Sequence, residues 1–139
     1  MKKVVCLCLA ILMCVCAVSC AKKPSIETSV ANAETLVENE SVKSEYYTFE
    51  SDFDEKLKVF CVIMAVDEKK VSDLVDDMDA KSEYKPALKT VALNNHDSNE
   101  SVIKSELNSL KSTLEAMFEG TDVLVECCYV TLDGNVNWY

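Results

Sequence analysis

The stretch NHDSNESVIKSE, Asn95 to Glu106, sets oxygen-bearing side chains at the spacing of a calcium loop. Asn95, Asp97 and Asn99 fall at positions 1, 3 and 5, Ser101 at 7, the apolar Val102 at 8 and Glu106 at 12. Two departures weaken the match. Asn95 stands where the loop begins with Asp, and Glu100 stands where glycine permits the sharp turn. A helix start capped by Asp97 or Ser98, with Glu100 in the first turn, accounts for the same residues and is preferred. A second acidic run, DLVDDMDAK, holds Asp73, Asp76, Asp77 and Asp79. Around a helix, Asp76 and Asp77 diverge by about 100°, so these carboxylates form a solvated face and not a cage for one ion. No GxSxG, SxxK or HExxH occurs, and with two glycines in the chain there is no phosphate-cradling loop.

Sulfur is the other candidate chemistry. Of eight cysteines, Cys6, Cys8, Cys14 and Cys16 sit in an apolar run, where thiols behave as small hydrophobes. Cys20 follows that run, and Cys61, Cys127 and Cys128 lie beyond it. Adjacent Cα atoms are about 3.8 Å apart, so a Cys127–Cys128 bridge would be strained, and on a strand the two side chains point to opposite faces. A disulfide from Cys61 to Cys127 or to Cys128 is the open pairing, set against three buried, reduced thiols. Three thiols and the lone His96 lack the spacing of a zinc site. A nucleophilic pair of Cys61 or Cys127 with His96 is weighed against a surface histidine near a helix start, which is preferred.

The first residues read as an address. Lys2 and Lys3 precede the apolar VVCLCLAILMCVCAV, and small residues lead to Cys20. The sequence AVSC resembles the lipobox of bacterial lipoproteins, with Ala17 where such signals most often carry Leu. The resemblance covers residues 1–20. It implies cleavage before Cys20, acylation of its sulfur with palmitate-type chains, and tethering at the cell envelope outside the cytoplasm. Ala21 in place of Asp implies the outer membrane where an organism has two. An uncleaved span and ordinary cleavage after Ser19 are the rival readings. The chain has no arginine, and losing Lys2 and Lys3 carries its net charge from −10 to −12. Such a surface repels phosphate backbones and anionic lipid, which argues against nucleic acid as a partner.

The elements that would position these residues follow from patterning. Residues 20–45 are polar and free of aromatics, and are expected to be a flexible tether spanning about 28 Å, in which a short helix at VANAETLVENE would not change that role. The folded part is expected over 46–139. YYTFES reads as a strand, and KVFCVIMAV, apolar on both faces, as a central strand covered on both sides, with a helix from Asp52 left open by Phe53, Leu57, Phe60, Cys61 and Met64 at helical spacing. A helix is expected over 68–80, and a strand over Leu88–Leu93. Ile103, Leu107, Leu110, Leu114, Met117 and Phe118 make the clearest helical stripe, which Gly120 ends. Asp133-Gly134 signals a hairpin joining Val123–Leu132 to Asn135–Tyr139. The expected class is α+β: a small, mostly antiparallel sheet with a C-terminal β-hairpin, packed against two helices.

These readings point to a non-enzymatic envelope lipoprotein, without a cofactor, that binds a protein partner. An exposed patch along Tyr129, Trp138 and Tyr139 would serve that role. The alternatives are a small periplasmic enzyme or inhibitor module using acidic residues, and a weak calcium-binding protein.

Overall fold

Eight apolar residues in a row, Val59–Val66, form the strand on which the architecture is built. In the computed structural model, which describes residues 24–139, this strand is β2 of a four-stranded sheet in the order β1-β2-β3-β4. β1 is Tyr47–Asp54, β3 Leu124–Val130 and β4 Val136–Trp138. The helices are α1 (Ile26–Lys43), α2 (Glu68–Asp77), α3 (Lys85–Asp97) and α4 (Glu100–Met117). The leader assigned to residues 1–19 and the lipid site Cys20 lie outside the described residues.

The class is α+β, but the sheet is mixed. β1–β2 and β3–β4 pair antiparallel, while β2 and β3 pair parallel. A parallel pair cannot be closed by a tight turn, and α2, α3 and α4 form the crossover between them. The β1–β2 hairpin turns where Asp54 Oδ1 accepts from the N–H groups of Lys56 (2.8 Å) and Leu57 (2.9 Å), with Lys58 at a φ of 55°. The second hairpin turns at the expected place. Thr131 N–H donates to Asn135 O, Gly134 N–H donates to Thr131 O, and Gly134 takes a φ of 85°, which a side chain would resist.

Alternation along β2 decides where the core lies. Phe60, Val62, Met64 and Val66 face inward with Tyr47, Phe49, Val125, Cys127 and Tyr129. Against them pack Ile103, Leu107, Leu110, Leu114 and Phe118 of the α4 stripe, Val71 of α2, and Ala33 and Val37 of α1. Phe118 and Phe60 meet ring to ring at 5.3 Å.

Four expectations are corrected. Two helices were expected and four are present among the described residues. The segment read as a tether folds from Ile26 to Lys43 into α1, capped by Ser25 and burying Ser29, Ala33 and Val37. Its end is held from outside the helix: Lys70 Nζ of α2 donates to Ser41 O and Ser44 O (3.1 Å), and also to Tyr47 O (2.9 Å) at the start of β1. The strand expected over Leu88–Leu93 lies within helix α3, where Pro86 occupies the first turn and Ala92 and Leu93 pack on the core. Finally, among the described residues the helices cover β2 on one side only.

Candidate functional site

The core-forming side chains lie on one face of the sheet, so the other face is set by register alone. Outward from β1 to β4, Glu50 pairs with Ile63, Ile63 with Cys128, and Cys128 with Trp138. The next rows are Asp52–Cys61–Glu126 and Thr48–Ala65–Val130–Val136. The rows through Ile63 and Ala65 are apolar toward β3 and β4, Glu126 puts a carboxylate on β3 in the row below, and the β1 border is acidic through Glu50, Asp52 and Asp54. Large apolar groups stand open to solvent on it: Ile63 is 37% exposed, Leu124 55%, Val136 50% and Trp138 62%. Isolated apolar side chains on a surface are ordinary; a contiguous set across neighbouring strands is the mark of a contact surface. The patch expected along Tyr129, Trp138 and Tyr139 is therefore corrected in composition. Trp138 belongs to it, Tyr129 is 1% exposed, and Tyr139 is half-buried.

A cleft of about 520 Å³ lies beside Trp138, lined by Asp97, Glu100, Ile103, Tyr129 and Asn137 among others. Its floor is a hydrogen-bonded joint. Tyr129 Oη donates to Asp97 Oδ1 at 2.8 Å, and the Leu132 N–H donates to the same oxygen at 3.0 Å. Burial and the Asp97 carboxylate push the Tyr129 phenol up, so it stays a donor. Nearby, His96 stacks on Tyr46 at 3.9 Å and its carbonyl accepts from Tyr47 Oη at 3.2 Å. Burial lowers the His96 imidazole, which favours its neutral form.

The sequence-predicted site residues separate. Asn95 and Asp97 close helix α3, Asn99 caps α4 by accepting from the Val102 N–H, and Ser101 and Glu106 lie within α4. Helical backbone on both sides of Ser98 and Asn99 does not form a calcium loop, and Glu106 instead lines a separate groove with Leu36 and Phe49. The helix start expected at Asp97 or Ser98 is moved to Asn99, and Asp97 serves the sheet. Among the described residues no three His, Cys, Asp or Glu groups gather as a metal site. In the acidic run, Asp76 pairs with Lys89 of α3 at 2.7 Å.

The thiols divide by face. Cys127 points into the core, fully buried, and burial pushes it up to about 12, which keeps it protonated and unfit as a nucleophile. Cys61 and Cys128 share the open face on adjacent strands, and burial raises both thiols. All three are free thiols, so of the two pairings left open by sequence only Cys61 with Cys128 is on one face. Cys61 and the stacked His96 lie on different sides of the sheet, so that nucleophilic pair is not assembled.

The fold and surface define a small α+β domain with helices on one face of a mixed sheet and an open apolar face on the other. Against known protein families, curated proteins and solved structures, the chain finds no match. No helix among the described residues is long and apolar enough to cross a membrane.

Proposed function

We propose that this is a non-enzymatic lipoprotein of the cell envelope, anchored through Cys20, that acts by binding a protein on the open face of its sheet. The observation that carries the binding role is the apolar row Ile63–Cys128–Trp138 with its exposed neighbour Val136, left uncovered by the described helices. The acidic β1 border and the Asp97–Glu100 cleft supply charge complementarity for a partner with an apolar centre and a basic rim. The anchor rests on the AVSC resemblance. Two acyl chains hold a protein far more firmly than one, and such a domain then meets its partner at the membrane surface.

The test has two arms. Labelled palmitate is expected to enter the wild-type chain and not the Cys20→Ser chain. A photo-crosslinking residue at Ile63 or Trp138, in intact cells, is expected to give a discrete adduct that the same residue at Val42, 77% exposed on α1, does not give. Absence of label would remove the anchor. Adducts equal at all three positions would remove the binding face.

A further inference from the structure

β1 is an edge of the sheet, and its outward main-chain groups are only half occupied. Main-chain direction alternates along an antiparallel pair, and the Asp67 N–H donates across it to Tyr46 O at 2.8 Å. Tyr47, Phe49, Ser51 and Phe53 therefore turn their N–H and C=O groups away from β2. At the start of the strand these find partners. Ser44 Oγ accepts from the Tyr47 N–H and Ser41 Oγ from the Phe49 N–H, both at 3.0 Å, and Lys70 Nζ donates to Tyr47 O. Beyond Phe49 the cover stops: among the described residues, no group bonds the outward N–H and C=O of Ser51 and Phe53.

We infer that this free half of the edge is a docking site for an extended, basic segment of another protein, which joins the sheet as a fifth strand beside β1. Main-chain bonds hold such a segment, and its alternate side chains give selectivity. A groove of about 530 Å³ runs between α1 and the strand, lined by the buried Val37 and Phe49 and by the exposed carboxylates of Glu34 and Glu38. One set of side chains on the added strand enters this groove. The other set stands beside Glu50, Asp52 and Asp54, on the open-face side. Among the described residues no lysine pairs with any of these five carboxylates; the ion pairs are made by Glu40, Asp76 and Glu126. Lysine or arginine of the incoming segment supplies the missing charge. The same charge disfavours a second copy, whose edge would set carboxylates against carboxylates. The site stands on the β1 edge and depends neither on the anchor nor on the apolar face.

The probe is a fluorescent six-residue peptide alternating lysine with valine. The full chain is expected to bind it at least about tenfold tighter than the same residues in two blocks, or than glutamate alternating with valine. Binding is expected to slow amide exchange at Ser51 and Phe53, leaving Asp52, already bonded to β2, as it was. Ser51→Pro removes an outward N–H without touching the β2 ladder, and Asp52→Lys reverses an exposed charge. Each is expected to weaken binding about tenfold or more. If Ser51→Pro lowers the melting temperature, Asp52→Lys carries the comparison. Trp138→Ala is expected to leave peptide binding unchanged, which separates this edge from the proposed apolar face. Equal binding of all three peptides overturns the inference, as does binding without slowed exchange at Ser51 and Phe53. Slowing that follows protein concentration without peptide gives the edge to a second copy and overturns it too.

Discussion

Asp97 and Tyr129 tie α3 to β3 at a single carboxylate oxygen, which also holds the backbone of Leu132 as the chain leaves the sheet. A hydrogen bond to a charged acceptor in a part-buried setting contributes about 1.5 to 3 kcal/mol. Tyr129→Phe removes the donor, keeps the ring in the core, and is expected to cost about that much in urea unfolding. Asp97→Ala leaves two donors without their acceptor and is expected to cost at least as much. A result within about 0.5 kcal/mol of the natural chain for both would mean that water replaces the joint. The same residues explain a misreading. Asp before a helical stripe signals a cap, but the cap is Asn99, and nothing in one dimension announces a phenol that comes from β3.

Among the elements, α4 was legible because its signal is long and strong, whereas β2 stood between a strand and a helix and only its unbroken apolar run tipped the balance. Eight unbroken apolar residues fit a strand, and Ile103 to Phe118 repeat at the helical period with Gly120 at a φ of 77° to end the turn. Helix α1 was legible only as a short helical stretch in a tether, and its packing was not, because its buried stripe is made of Ser29, Ala33 and Val37, two of them too small to register as apolar periodicity. Its stabilisation comes from packing and from the Lys70 ammonium across the fold. Helix α3 buries no residue fully, so Leu88, Ala92 and Leu93 left helix and strand readings in balance. The open face was hidden for another reason: a strand apolar on both sides does not say which side a helix will cover, and the Cys61–Cys128 neighbourhood needs the parallel β2–β3 register. The α1 assignment makes a sharp prediction. Val37→Asp puts a carboxylate at a position 1% exposed and is expected to cost about 3 kcal/mol or more, while Val42→Asp, on the solvent side, should stay within about 0.5 kcal/mol. Equal effects in chemical unfolding would return residues 26–43 to the role of a leash.

Across the whole molecule, burial has been applied to groups that are neutral while protonated, and this fixes how the fold responds to base. Burial pushes Cys127 up to about 12 and Cys128 up to about 11 from an ordinary 9.0. Burial also raises Tyr129 and Tyr47 above 10.0, with nearby carboxylates adding to it. Each group keeps its proton in the folded chain at a pH where the unfolded chain has released it. Between the unfolded and folded values the native state therefore binds more protons, and stability falls as pH rises; below the unfolded value nothing is lost. The urea midpoint, measured under reductant, should stay level from about pH 7 to 8.5, decline above about 9 and steepen above about 10 as the phenols join. Repulsion among the excess acidic groups, a net −10 over the chain, is screened by added salt, whereas a proton held in the core is not. The decline should thus persist at high salt and become shallower in Cys127→Ala. A midpoint level to about pH 11, or a decline that salt abolishes, would place the pH sensitivity on the surface instead of in the core.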